Sequence, residues 1–392
     1  MKMNINLKDY SMQQPYFNQF LKVGAVSFDR DNLFPERVLK AVTESPTQSA
    51  ILQNLASYIY GMGLKEWEAN IEEPNFTDTW DEILKACITD YVYFNAMAIE
   101  IIPNEIGNRF SFYHIPVMQV RCGQYNAENK IEEYYLSTDW TVNSWTSRKV
   151  KRIKAWGIEQ PQRGEAYLLY LREYKPNQYY YAIPSYFSAM NWIMADGQIA
   201  KFTNNFISNN MSAGKVITFP NDIDDDKKDE IYEAIAQCFG GSENAGSTLV
   251  LYGEGGVAPT VNTMESKDSD LYKDVHDMVI RALCTANQIT NPNLLGIHDS
   301  SGFSSQSEEM ITAYVLYLNT VVIPKRNFIL YNFNRLLSFN GHPKVFLIND
   351  LNLQAELNGN EAVNDEKEAE AVEADNNDKS TSEEGQLHDG KE

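Results

Sequence analysis

Two long runs of helical periodicity, separated by a short stretch rich in strand formers, constrain this chain more than any other feature. The first opens at Pro184 and persists to about Asn209, with Met190, Ile193, Met194, Phe202, Phe206 and Ile207 spaced for burial. At 1.5 Å per residue such a helix would span about 39 Å, longer than most helices of globular domains. The second run, Asp268–Ile289, sets Leu271, Val275, Met278, Val279, Ala282, Leu283 and Ala286 on one stripe. Between them, Lys215–Pro220, Thr248–Tyr252 and Pro259–Met264 read as strands. Asp225–Phe239 reads as a helix capped by Gly240 and Gly241, and Gly253–Gly256 as a hairpin turn.

The first half is built differently. Residues 1–30 show no clear period and read as an irregular entry segment. A helix follows over Pro46–Tyr60, with Ser45 at the N-cap, Pro46 at the first helical position, and Gly61 and Gly63 closing it. A second helix runs from about Asp78 to Val92. Then Ala96–Pro103, Phe110–Ile115, Met118–Gly123, Ile131–Ser137, Val150–Lys154 and Ala166–Glu173 form a series of short strands. Strands arriving after helices, without regular alternation, predict an α+β fold. Beyond the second long helix, Thr290–Ser305 is punctuated by Pro292, Gly296 and Gly302. Ser305 and Glu308 make a capping-box pattern that starts a last long helix, and Pro324 predicts a kink or break in it.

Charge narrows the functional classes. The 392 residues hold 33 Lys and Arg against 54 Asp and Glu, a formal charge of −21. From Leu351 onward 13 acidic residues face three lysines, and the segment has too few large apolar residues to fold, so about Glu361–Glu392 reads as a disordered tail. A protein gripping nucleic acid through its phosphates needs a basic surface. Only Arg148, Lys149, Lys151, Arg152 and Lys154 cluster here, as on a solvated loop or strand. No run approaches the length of a membrane span, and Met1–Asp9 lacks a signal-peptide core. Cys87, Cys122, Cys238 and Cys284 lie far apart, as expected of reduced thiols in a cytosolic product.

Motifs for catalysis are sparse. The five histidines form no HxxxH pair, and neither GxxxxGK[ST] nor GxGxxG occurs, so neither a metal site nor a nucleotide cofactor is expected. The Ser300–Ser307 cluster lacks a GxSxG elbow, and His298 beside it has no evident orienting partner. A hydrolase using that loop stays as an alternative reading, with a flexible loop as the plainer one. Asp222, Asp224, Asp225 and Asp226 lack calcium-loop spacing and suit a helix N-terminus. Asp268, Asp270, Asp274 and Asp277, at spacings near three and four, read first as a solvated helix face.

Several stretches in order carry a resemblance. Asp90–Ile101 (DYVYFNAMAIEI) resembles an "aspartate, apolar, Tyr-Gly-Asn-Ala" helix-to-strand junction, with Phe94 in place of Gly. Phe110–Arg121 (FSFYHIPVMQVR) resembles a "leucine, histidine, proline, valine-arginine" strand pair. Tyr181–Tyr186 (YAIPSY) resembles a "Tyr-Gly-x-Pro" helix start, and Phe206–Pro220 a strand entry in which Asn and Ala replace Gly and Pro. Ile289–Gly296 (ITNPNLLG) is similar to a "Val-Pro-Pro, x, Leu-Leu-Gly" run, and Gln306–Glu309 with Tyr314–Pro324 to a "Gln/Glu, Tyr, Pro" helix. Together, over about residues 35–340, these resemble the portal proteins of tailed bacteriophages, in particular the compact type of phages with HK97-like heads.

The resemblance implies a non-enzymatic ring, usually of twelve copies, in the virion at one capsid vertex, made in the bacterial cytoplasm. Double-stranded DNA passes non-specifically through its channel during packaging and ejection. Expected partners are the large terminase, capsid or scaffold protein and a head-completion adaptor; no cofactor or membrane is implied. It divides the chain into an arm (1–34), an α+β wing (35–183), a first stem helix (184–214) and an αβ clip (215–264). A second stem helix (265–289), a tunnel loop (290–305), a kinked wing or crown helix (306–350) and an acidic tail (351–392) follow. Asp270, Asp274 and Asp277 would line the channel, with Lys273 and Arg281 pairing between subunits or along the helix. Asn291, Pro292, Leu294, Leu295, Gly296, Ser300, Ser301, Gly302 and Ser304 would form the tunnel loop. Asp224, Asp225, Lys227, Lys228 and Tyr232 would dock the terminase. A head–tail adaptor, usually shorter and without paired stem helices, is the other alternative.

Overall fold

The structure, a computed structural model, describes residues 15–17, 21, 23–64, 72–104, 106, 108–141, 150–176, 178–208, 215–220, 248–253, 260–263, 269–289, 291–295 and 306–341. The chain divides into two units, Met1–Tyr60 with Glu68–Val345, and Gly61–Trp67 with Phe346–Glu392. Every described helix and strand belongs to the first. The acidic tail lies outside the described residues.

Helix α1 (Phe34–Glu44) buries Phe34, Val38, Ala41 and Val42, a spacing that puts all four on one face. The sequence pattern described above places no helix at these residues, and the structure adds one. Ahead of it, the segment expected to be irregular is pinned to the core: Ala25, Val26 and Phe28 are buried, and Ala25 bridges to Gly123. Helix α2 (Pro46–Tyr60) starts as the sequence predicts, with the Gln48 N–H donating to the Ser45 hydroxyl at 3.2 Å. Helix α3 (Trp80–Phe94) begins at a Thr79–Glu82 capping box and ends at Asn95, whose φ of 57° turns the chain into the first strand. Phe94 is itself the last helical residue, so no glycine is required there.

Six strands follow: β1 (Ala96–Pro103), β2 (Phe110–His114), β3 (Val120–Cys122), β4 (Glu133–Leu136), β5 (Lys151–Ala155) and β6 (Tyr167–Arg172). They form one sheet in the order β2-β1-β6-β5-β4-β3, antiparallel throughout except for β5 with β6. β1 is its buried spine, and α3 packs on β1 and β2. Helices beside a mixed sheet make the fold α+β, as the order of elements predicts.

Helix α4 covers Met190–Ser208, 19 residues and about 28 Å. It starts six residues later than Pro184 because the preceding aromatics are tied to the core. Tyr186 is fully buried and donates to the Tyr93 carbonyl at 2.8 Å, while Tyr181 stacks on Phe28 at 4.1 Å. Those anchors hold Pro184–Tyr186 in a turn, followed by a 3-10 segment at Phe187–Ala189. A small sheet follows, β8 (Thr248–Gly253), β7 (Lys215–Pro220) and β9 (Thr260–Thr263) in that order, parallel then antiparallel. Helix α5 (Ser269–Ala286) returns to pack on α4.

Helix α6 (Gln306–Tyr317) and helix α7 (Ile323–Phe339) do not break at Pro324. A π-helical turn, Leu318–Val322, joins them. Pro324 falls in the first turn of α7, where a missing N–H costs least. Asn319 and Thr320 donate side-chain hydrogen bonds to the Val315 and Leu316 carbonyls at 2.8 and 2.7 Å, occupying acceptors that the wider turn leaves open.

Candidate functional site

The long helices are held by α2, which is clamped at both ends. Asp196 on α4, 3% exposed, accepts from the Ser45 hydroxyl at 2.6 Å, the Thr47 N–H at 3.0 Å and the Thr47 hydroxyl at 3.2 Å. A buried carboxylate thereby sits on the positive end of the α2 dipole. At the other end, Arg326 of α7 donates to the Tyr58 and Ile59 carbonyls at 2.7 and 3.0 Å, placing a cation on the negative end. Between them, Gln48 and Asn287, at the end of α5, exchange amide hydrogen bonds at 2.9 and 3.3 Å. Gly197 lets α4 approach α1: a Cβ there would lie 2.8 Å from the Glu44 carbonyl oxygen. Lys201, one turn on, pairs with Glu44 at 2.7 Å and holds its carboxyl below the usual range.

Beyond these clamps the helices present exposed faces. On α5, Val279, Leu283 and Cys284 are buried, whereas Asp274, His276, Asp277 and Arg281 are exposed. Asp270 shares that helix. Arg281 forms no ion pair among the described residues. Met278, assigned to the apolar stripe from spacing, is 54% exposed, because Val279 and Leu283 set the inward direction and Met278 lies about 100° around the helix from Val279. Phe202, also expected in the core, is 43% exposed. Trp192 on α4 is half-exposed as well.

After α5, Gln288 (φ 59°) reverses the chain into a 3-10 turn, Pro292–Leu295. The Leu294 N–H donates to the Asn291 carbonyl at 3.1 Å, and the Tyr58 hydroxyl donates to the Leu294 carbonyl at 3.3 Å. Asn291, Pro292, Leu294 and Leu295 therefore share a turn that Tyr58 of α2 holds through the Leu294 carbonyl. Gly296, His298, Ser300, Ser301, Gly302 and Ser304 lie outside the described residues, as do Asp224, Asp225, Lys227, Lys228 and Tyr232.

In the large sheet, the two motifs of the first half meet at one carboxylate. Asp90 Oδ2 accepts from the Val117 N–H at 2.8 Å and contacts His114 Nε2 at 2.9 Å, fixing the His-Ile-Pro-Val turn. Arg121 is wholly buried, and burial lowers its pKa. It donates to Asn32 Oδ1, to the Asn32 carbonyl and to the Met118 and Val120 carbonyls at 2.7–2.9 Å, so its role is architectural. The basic cluster is neutralised: Lys151 pairs with Glu100, Arg152 with Glu133, and Lys154 with Glu159 and Glu165. Arg148 and Lys149 lie outside the described residues. Among the described residues no trio of metal-ligating side chains gathers, and no helix is long and apolar enough to cross a membrane.

The sequence model of the family described as "Phage portal protein" matches residues 68–370. This chain belongs to the phage portal protein family. No curated protein matches it. Among solved structures, a chain in the virion of a native gene transfer agent particle superposes with a TM-score of 0.54 at 14% identity, covering 94% of this portal chain and 93% of that one. A chain from the neck of an empty gene transfer agent particle gives 0.55 at 15% identity, covering 85% and 88%. An HK97 family phage portal protein from Corynebacterium diphtheriae gives 0.39 at 12% identity, covering 70% and 83%. At such identities the first two likenesses concern the portal fold.

Proposed function

We propose that this portal chain is the repeating subunit of a ring at one capsid vertex, whose axial channel passes double-stranded DNA during packaging and ejection. The observation that carries the reading is the α4–α5 pair: clamped to the body by Asp196 and Asn287, it exposes Trp192 and Met278 together with Asp274 and Asp277. Large apolar side chains left outside a packed body suit burial by another copy, and a closed ring uses two different faces of each subunit for this. The gene transfer agent neck computed with C6 symmetry supports a cyclic arrangement.

In this reading Asp270, Asp274 and Asp277 line the bore. Each phosphate neutralised by Lys or Arg releases counterions and adds affinity, which would hold the duplex; a negative wall lets it slide. Residues 35–183 are the wing, 184–214 and 265–289 the stem, 215–264 the clip, 290–305 the tunnel loop and 306–350 the outer helix. Asp224, Asp225, Lys227, Lys228 and Tyr232 of the clip dock the large terminase, which supplies the hydrolysis, and later the head-completion adaptor. The subunit is made in the host cytoplasm and ends in the virion, beside capsid protein.

Mass photometry and negative-stain images of the purified full chain test this. Twelve copies of a 44.7 kDa chain weigh about 540 kDa and give an axial hole in end view. A species that stays monomeric or dimeric across concentration and ionic strength refutes the reading.

A further inference from the structure

Phe76, in the turn ahead of α3, is fully exposed, more so than any other large apolar side chain among the described residues. The turn that carries it is rigid. Asn75 Oδ1 accepts from the Thr77 and Asp78 N–H groups, both at 2.7 Å, and Asn75 Nδ2 donates to Asp78 Oδ2 at 2.9 Å and to the Phe112 carbonyl at 2.7 Å. The Phe112 N–H in turn donates to the Pro74 carbonyl at 2.9 Å, which fastens the turn to the edge strand β2. A phenyl ring held in water forgoes the free energy of burial, and this one adds nothing to the core of its own subunit. Beside it, Glu72 pairs with Arg109, whereas Glu73 is exposed and forms no ion pair among the described residues.

The other half of the same sheet carries a cleft of about 310 Å³. Tyr125, Tyr134, Ile158, Leu168, Tyr170 and Tyr180 line it, on or near β4, β5 and β6. The Tyr125 and Tyr180 ring centroids lie 4.6 Å apart and those of Tyr134 and Tyr170 5.8 Å apart, so the walls stand formed before any occupant arrives. An apolar cavity of about 150 Å³ already admits a benzene ring, so a phenylalanine side chain fits this cleft. Arg172 lines it as well; its guanidinium donates to the Tyr179 carbonyl at 2.7 Å and has no ion pair among the described residues. Lys130, by contrast, is paired with Glu128.

The knob on the β2 edge and the cleft across β4, β5 and β6 are different patches of one sheet. In its own subunit Phe76 stays in water, so the cleft that suits it is another copy's. Knob into cleft is a head-to-tail contact, and such contacts repeat from copy to copy until the rotation closes a ring. Charge agrees with shape, since Glu73 flanks the knob and Arg172 lines the cleft. We propose that Phe76 of each subunit inserts into the aromatic cleft of a neighbouring copy of this chain, with Glu73 meeting Arg172. The proposal rests on the ring reading above and names one contact that closes the ring.

Replacing Phe76 by p-benzoylphenylalanine in the full-length protein keeps an aromatic ring there and adds a photoreactive ketone. An equal mixture of ¹⁴N- and ¹⁵N-labelled copies is assembled and irradiated. The excited ketone takes a hydrogen atom from a nearby C–H, and the two radicals join in a C–C bond, the ketone oxygen ending as a hydroxyl. Mixed-isotope peptides joining position 76 to Tyr125, Ile158 or Tyr180 are expected. Phe76→Ala should lower ring yield about tenfold, as loss of a buried aromatic anchor does, and leave the urea midpoint of the unassembled subunit unchanged. Glu73→Lys should lower ring yield most at low salt. Rings in which position 76 cross-links elsewhere, or only within one copy, overturn the contact. So do rings that form equally well with Phe76→Ala, and a position 76 that cross-links only once capsid or adaptor protein is added. Those outcomes leave the ring reading standing, whereas a wild-type chain that forms no ring removes both.

Discussion

Removing the Asp196 carboxylate tests the clamp between α4 and α2. Asp196→Ala leaves the Ser45 hydroxyl, the Thr47 N–H and the Thr47 hydroxyl without their acceptor inside the body. It also removes the negative charge from the first turn of α2, a contribution of about 1 kcal/mol in a partly buried setting. Hydrogen bonds to a charged group contribute about 1.5–3 kcal/mol each, but the carboxylate's own desolvation offsets much of that. The net loss expected for Ala is about 3–5 kcal/mol. Asp196→Asn keeps one acceptor oxygen and loses the charge, so about half that loss is expected. Urea unfolding followed by tryptophan fluorescence, at fixed protein concentration so that assembly does not shift the midpoint, reads both variants. A midpoint drop with unchanged slope, larger for Ala than for Asn, is the expected outcome. A loss for Ala below about 1 kcal/mol, the range of ordinary surface changes, refutes the clamp.

Two further outcomes follow from the same packing. Gly197→Ala sets a methyl 2.8 Å from the Glu44 carbonyl oxygen, so α4 must shift from α1, with a destabilisation of about 1–3 kcal/mol in the same urea assay. The Lys325 pKa is lower folded than unfolded, so the unfolded chain binds the proton more tightly and wild-type stability rises with pH from the lowered value up to the ordinary lysine range. Lys325→Met should remove that rise and, at pH 7, raise the melting temperature; a lower melting temperature contradicts the desolvation argument.

Local signals were legible where neighbours in sequence decide the structure. Ser45 and Pro46 mark the start of α2, and β-branched and aromatic runs mark β1, β2 and β6 to within a residue or two. The spacing of Phe34, Val38, Ala41 and Val42 carried the signal for α1, which the polar, aperiodic stretch before it obscured. What no local pattern announces is a partner far along the chain. Asp196 meets Ser45 across 151 positions, Gln48 meets Asn287 across 239 and Arg326 meets Ile59 across 267. Each looks in sequence like an ordinary polar residue on a helix. The direction of the α5 faces depended likewise on tertiary contact, which chose Val279 over Met278 as the inward residue. The aspartates at 270, 274 and 277 share a helix stripe that spacing alone locates.

The π-helical turn at Leu318–Val322 has a consequence for the outer helix. One additional residue per turn advances the phase of everything downstream by about 100° without changing the axis greatly. Lys325 and Arg326 point at α3 and α2 in that rotated phase. Deleting any single residue from 318 to 322 would restore an unbroken spiral yet swing both side chains off their targets, so this one-residue offset acts as the dial that sets where α7 faces.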